Sequence, residues 1–161
     1  MGFSVSASTA LIFAALFLAF GTLYPAMANG YERVEEADAA KADHNLDQSQ
    51  TDIRLESFSA DINNGNNNLN QLDIVVNNTG QTALTVSEID ILLNGDYIEW
   101  TNGDSNDNVR TEVEGDQTTD LWLPNEEIDI RLGDSGPIEG DGTYNFKIVT
   151  EHGVSISGVA N

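Results

Sequence analysis

Few side chains in this 161-residue chain are spaced to do chemistry, and each arrangement stops short of a complete site. Asp104-Ser-Asn106-Asp-Asn108 sets oxygen donors at alternate positions, as the opening of a calcium loop does. The sixth position of that loop is Val109, where the sharp turn needs Gly, and the twelfth is Gly115, where a bidentate carboxylate belongs. The stretch therefore reads as a solvated acidic loop. His44 and His152 are the two histidines, and neither stands in a ligand cluster. No Gly-x-Ser-x-Gly elbow positions a nucleophile, and the absence of cysteine excludes disulfides and thiolate metal sites. The reading is of a protein that is not an enzyme, with no catalytic residue, cofactor or metal.

Two features point to modification or contact instead. Asn77-Asn78-Thr79 is the one N-glycosylation acceptor triplet, at what reads as a strand end, and makes Asn77 a candidate carrier. The alternative there is a plain polar turn. Trp100 and Trp122 are the two tryptophans. Trp122 lies between Leu121 and Leu123, so in a strand it points away from both. With the leucines taken as the buried pair, Trp122 is expected at the surface or a sheet edge, a candidate partner contact like Trp100.

The element that positions everything else is the N-terminus. From Phe3 to Ala28 run 26 residues without a charge. As a helix they extend about 39 Å, against a hydrocarbon core of about 30 Å. Phe3, Leu11, Ile12, Phe13, Leu16, Phe17, Leu18 and Phe20 are the expected lipid-facing anchor. A cleaved secretory signal would carry a basic n-region, which is missing, although Ala26-Met27-Ala28 has the small-x-small form of a cleavage site. A helix at a globular surface would show a polar face, and this one has none. Gly2 and Ser6 fit the myristoylation pattern formally, but a chain that already spans the bilayer gains little from one acyl chain. The expected division is a transmembrane helix over 1–28, a helical stalk over 29–51 and a domain over 52–161. Pro25 is a possible kink, and the stalk carries a narrow stripe of Met27, Tyr31, Val34 and Ala37 against a charged face.

Charge sets the environment. The 27 acidic and 6 basic residues leave a formal charge of −21. Such self-repulsion loosens a compact state at low ionic strength and is screened near 1 M salt, where the Debye length is about 3 Å. A very salty habitat is expected. Nucleic acid is excluded as a partner, because phosphate binding needs a basic patch.

Beyond Asp52 the hydrophobic period changes from helical to two. Ile53 and Leu55 alternate, then Leu72, Ile74 and Val76, Leu84 and Val86, Ile89, Ile91 and Leu93, and Ile98 and Trp100. Val109, Thr111 and Val113 follow, then Leu121 and Leu123, Ile128, Ile130 and Leu132, Tyr144, Phe146 and Ile148, and Val154 and Ile156. Asn63–Asn68 reads as a solvated hairpin loop and Asn94-Gly95 as a tight primed turn. About eight or nine strands without intervening helices predict a mainly β domain, an antiparallel immunoglobulin-like β-sandwich behind the N-terminal helix and stalk. Tyr144, two residues before the core position Phe146, fits either the tyrosine corner of such domains or an ordinary strand start after a Gly turn.

Met1-Gly2-Phe3-Ser4-Val5-Ser6-Ala7-Ser8-Thr9-Ala10, then Asn29-Gly30-Tyr31-Glu32-Arg33-Val34, Asn77 to Leu84, Ile91 to Tyr97 and Leu121 to Glu126 together resemble the FlaF family of haloarchaeal archaellum stator proteins, in the flagellin/pilin-like superfamily. The resemblance covers most of the chain. It implies a single-pass protein of the cell membrane, N-terminus cytoplasmic, with a flagellin-like sandwich outside, between membrane and surface layer. The implied partners are the surface-layer protein, the related archaellum protein FlaG and membrane lipid, and self-association is left open. Arg33 and Lys41 lie on the outer side in this topology, so the positive-inside rule by itself leans the other way. An archaellin or pilin-type filament subunit is the alternative. Such precursors carry a basic leader before a Gly-Phe-like junction and a glutamate near the helix start, and here Gly2-Phe3 is present without either. A membrane-tethered glycan- or ligand-binding module is a further alternative.

Overall fold

The computed structural model describes residues 2–63, 65–104, 108–133 and 135–161, and of residues 2–6 the backbone alone. The chain divides into two compact units, Met1–His44 and Asn45–Asn161.

From Gly2 the first unit is helical and belongs to α1, Gly2–Gln50, which runs on through Pro25 without a break. Strong helix formers and an apolar first half carry it, and no residue from Ala7 to His44 is buried by the protein itself. Within the second unit α1 ends at Gln50, where the polar run from Asn45 removes the apolar repeat.

Among the described residues ten strands follow: β1 Ile53–Ile62, β2 Leu69–Asn78, β3 Leu84–Thr85, β4 Asp90–Leu93, β5 Asp96–Tyr97, β6 Val109–Val113, β7 Leu121–Trp122, β8 Glu127–Leu132, β9 Tyr144–Val149 and β10 Ser155–Ala160. They form two four-stranded antiparallel sheets, β1-β2-β8-β6 and β10-β9-β4-β5, with a short pair β3-β7. The fold is a mainly β sandwich behind a long apolar helix. Period-two patterning puts Leu72, Ile74 and Val76 of β2, Ile128, Ile130 and Leu132 of β8, and Tyr144, Phe146 and Ile148 of β9 into one shared core. Phe58 of β1 meets Phe146 of the other sheet edge to face, with ring centroids 5.2 Å apart.

Turn chemistry closes the hairpins. Asn94 (φ 54°) and Gly95 (φ 91°) form the primed turn between β4 and β5. The Tyr144 hydroxyl donates to the carbonyl of Asn67, 2.8 Å away in the β1–β2 loop, and lies 3.3 Å from that of Ile138, six residues upstream. That second neighbour is the tyrosine-corner geometry, and the first ties β9 to the opposite sheet's hairpin.

Three expectations are corrected. Leu121 and Leu123 are exposed (51% and 41%), and Trp122 is the buried member of that run (0%). Alternation was right and its phase was wrong, since the bulkiest side chain gains most from burial. Ile98 and Trp100 do not form a strand: β5 stops at Tyr97 and both side chains pack half-buried against the core. The run from Leu84 leaves its strand at Thr85, and Val86–Glu88 is a 3-10 turn. The calcium-like loop falls largely outside the described residues at 105–107, as does the side chain of Phe3.

Candidate functional site: the apolar helix and the junction at its end

Leu11, Ile12, Phe13, Leu16, Phe17, Leu18 and Phe20 are all exposed, Phe17 at 77%. Large apolar groups on every side of a helix are stable only in an apolar surrounding, and α1 is long and apolar enough to cross a membrane.

Within the second unit, the C-terminal turn of α1 is tied to the turn that follows β2. The last carbonyls of a helix have no partner inside it. Here Asp47 O accepts both the backbone N–H and the hydroxyl of Thr51, at 2.9 and 2.7 Å. Gln50 O accepts from Gln81 N (2.8 Å), and Asp52 O accepts from Thr79 N and Gly80 N (both 2.9 Å). The Thr79 hydroxyl donates to Asp52 Oδ2 at 3.1 Å. Gly80 is required by closeness: a Cβ there would lie 2.6 Å from both Asp52 N and Gln50 O.

Behind this turn stands a polar core. Asn78 is fully buried, and its amide nitrogen donates to Thr82 O (2.9 Å) and Trp122 O (3.2 Å) while its Oδ1 accepts from Gly80 N (3.1 Å). The indole N–H of Trp122 donates to Glu126 O at 2.8 Å. Every arm of the buried amide is used, which removes the cost of burying it. Sequence reasoning missed Asn78, Gly80 and Thr51. The signal available was an Asn-x-Gly step directly after an apolar strand, which also describes any turn.

The outward face of β1-β2-β8-β6 gathers three of the six basic residues, Arg54, Arg110 and Arg131. Arg131 pairs with Asp73 (2.6 Å) and Arg110 with Glu112 (2.7 Å) around a shallow cleft of about 140 Å³. Both pairs are solvent-accessible and contribute at most about 1 kcal/mol each. Burial pushes the Asp129 carboxyl up, with Glu112 adding repulsion and Arg131 opposing it. Near Asn102, Asp120 is held below its usual range because hydrogen bonds from Ser87 and Asn102 together outweigh its desolvation. The two Arg–carboxylate pairs balance charge on the sheet face. Among the described residues no group of three or more His, Asp or Glu is placed to hold a metal.

The other singled-out residues are scattered. Trp100 donates its indole N–H to Ile89 O at 3.2 Å and packs on the core. His152 lies 3.4 Å from Glu151 in the β9–β10 turn, and His44 is exposed on α1. Asn77 points out of the sheet from β2, half-buried.

These elements are those of one protein family. The model for archaeal-type flagellin matches residues 2–158. The chain belongs to that family. Archaeal-type flagellins are structural components of the archaellum and not enzymes, and this chain is an archaellum-related protein. Among solved structures, the archaeal flagellum of Methanospirillum hungatei strain JF1 is similar over 99% of this chain and 92% of its own, at 13% identity and a TM-score of 0.54. Two structures from Sulfolobus acidocaldarius are similar at 19% identity and a TM-score of 0.43. One is the archaellum periplasmic stator protein FlaG, covering 68% of this chain and 98% of that one. The other is the stator complex of FlaF and FlaG, covering 66% and 86%. No curated protein matches the chain.

Proposed function

We propose that this chain is a non-catalytic, membrane-anchored component of the archaellum motor, part of its static assembly. In this reading residues 1–28 span the membrane with the N-terminus in the cytoplasm, 29–51 form a stalk, and the sandwich of 52–161 stands outside. There it binds the surface-layer protein, with a FlaG-like protein as companion. The observation that carries the reading is the uncharged stretch from Phe3 to Ala28 on a helix that ends in a closed, hydrogen-bonded junction with a folded domain. Such an arrangement suits holding two layers together under load.

A filament subunit is the second reading, supported by the family's name and by the likeness to the Methanospirillum flagellum along nearly the whole chain. Deletion of the gene, with filament assembly and swimming scored separately, distinguishes the two. A static component leaves filaments assembled on cells that do not swim, and the protein stays with the membrane when filaments are sheared off. Loss of the filaments, or recovery of the protein in sheared filaments, overturns the stator reading. A pull-down of surface-layer protein by the full chain in detergent and high salt tests the partner.

A further inference from the structure

The outward face of β10-β9-β4-β5 differs in charge from that of the other sheet. Residues in register across an antiparallel sheet present their side chains on one face. Three such rows lie here: Ser155-Val149-Asp90, Ser157-Lys147-Leu92-Tyr97 and Val159-Asn145. Asp90 and Lys147 are their only charged members. Tyr97 and Val159 are exposed, Leu92 and Val149 are half-buried, and Lys147 stands among them at a shallow hollow of about 430 Å³. On the other sheet the matching rows carry Asp73, Arg131 and Arg110 in one and Asp129 and Glu112 in the next.

Lys147 is also the domain's uncommitted cation. Arg54, Arg110 and Arg131 each pair with a carboxylate, and Lys147 makes no ion pair with a described residue, although the chain carries 27 acids against 6 bases. Its cross-strand neighbours, Ser157 and Leu92, and those along its own strand face, Asn145 and Val149, are all uncharged. In water such an ammonium costs nothing. Covered by a surface without an anion, it would be a desolvated charge lacking a counterion, which is strongly unfavourable. Whatever covers this face has to bring a carboxylate to Lys147 and apolar groups to Leu92, Tyr97 and Val159.

We propose that this face is the docking surface for an acidic segment of a different protein, whose carboxylate meets Lys147 while its apolar neighbours rest on Leu92, Tyr97 and Val159. At about 1 M salt the Debye length is about 3 Å, so charges act only in contact. The apolar area then supplies affinity and the Lys147 pair fixes the register. The inference rests on the proposed reading of this chain as a holder of the surface-layer protein, and names the part of the domain that holds it.

The test is capture of purified surface-layer protein by the immobilised full chain in detergent and high salt. Lys147→Glu weakens capture by at least about tenfold, since a docked charge pair becomes two like charges. Lys147→Arg stays near the parent, Tyr97→Ser weakens capture, and Ser59→Glu, exposed on the other sheet beside Asp73, leaves it unchanged. Equal urea midpoints show that the variants fold alike. Capture that survives Lys147→Glu, or falls as far in Ser59→Glu, overturns the docking face. Coverage is read separately from the partner's identity. The chain has no cysteine, so Ser157→Cys, exposed beside Lys147, is labelled with a maleimide in broken cell envelopes kept in high salt and in the purified chain. Slow labelling in envelopes that becomes fast when Lys147→Glu is added is expected, and equal rates in envelopes and purified chain overturn the face. Protection without capture of the surface-layer protein overturns that partner and leaves the face standing. A carbodiimide cross-link from Lys147 to a second copy of this chain overturns the different protein as occupant.

Discussion

Replacing Trp122 by Ala tests which face of the Leu121-Trp122-Leu123 run is the inner one. The ring is fully buried against Leu84, its strand partner, and its N–H is bonded to Glu126 O. Truncating a buried aromatic to Ala costs about 3–5 kcal/mol, transfer and cavity together. The lost hydrogen bond belongs at the low end of its range of about 0.5–1.5 kcal/mol, since Glu126 O still accepts from Asn78 N at 3.1 Å. A total near 4 kcal/mol is a large share of a stability of about 5–15 kcal/mol. With a urea slope of about 2 kcal/mol per molar, it moves the midpoint down by about 2 M. Leu121→Ser and Leu123→Ser, on the exposed side, shift stability by no more than about 0.5 kcal/mol. The assay is urea unfolding of the full chain in detergent and high salt, followed by the emission of Trp100, which all three variants retain. The reverse order, with a serine variant costing more than Trp122→Ala, refutes the assignment of the inner face.

Further outcomes follow from single contacts. Gly158 lies under the Phe146 ring, and a Cβ there would run into it, so Gly158→Ala costs about 1–3 kcal/mol in the same assay. Gly80→Ala forces apart backbone in contact at 2.6 Å, and hydrogen exchange at Thr79, Gly80 and Gln81 speeds up while the β8 and β9 amides stay slow. The folded-state pKa of Asp129 is raised above its unfolded value, so its ionised form burdens the folded state. Asp129→Asn therefore raises the melting temperature at neutral pH, and the gain vanishes below the ordinary Asp pKa, where both states are protonated. Lowering the salt from molar to millimolar lowers the melting temperature through the unscreened net charge of −21, and a salt-independent melting temperature contradicts the expectation of a very salty habitat.

The architecture was legible wherever one face of a strand is buried and the other is wet. In β2, β6, β8 and β9, alternation alone names the inner residues, because a one-residue slip would expose the whole set. It failed where adjacent residues are all apolar, as at Leu121-Trp122-Leu123, since period two has two phases and composition does not choose between them. It also failed at Ile98 and Trp100, whose spacing is that of a strand but whose backbone leaves the ladder after Tyr97. In β1 only Ile53 of the expected inner residues is fully buried, because the strand is a sheet edge with a register shift after Leu55, and Phe58 remains 41% exposed. The junction was illegible. Its donors are backbone N–H groups of Thr79, Gly80 and Gln81 reaching residues 50 and 52, and a long-range main-chain bond leaves no periodic trace in side-chain identities.

That junction decides how firmly the start of β1 is held within the second unit. An edge strand pulled from its end opens one rung at a time, and β1 begins at Ile53, whose partner Asn78 is the last residue of β2. Ahead of that rung stand four further hydrogen bonds: Thr79 N and Gly80 N to Asp52 O, Gln81 N to Gln50 O, and the Thr79 hydroxyl to Asp52 Oδ2. At about 1 kcal/mol each they are individually modest. They act together because the three donor residues are consecutive and are fixed from behind by Asn78, whose amide also grips Trp122 O. Peeling β1 therefore requires the 79–81 turn to leave as a unit, which exposes the buried amide of Asn78 and the Trp122 carbonyl it holds. The resistance of the first rung is thus set by a polar core cluster on β2 and β7, and not by the edge strand's own side chains, which are mostly exposed.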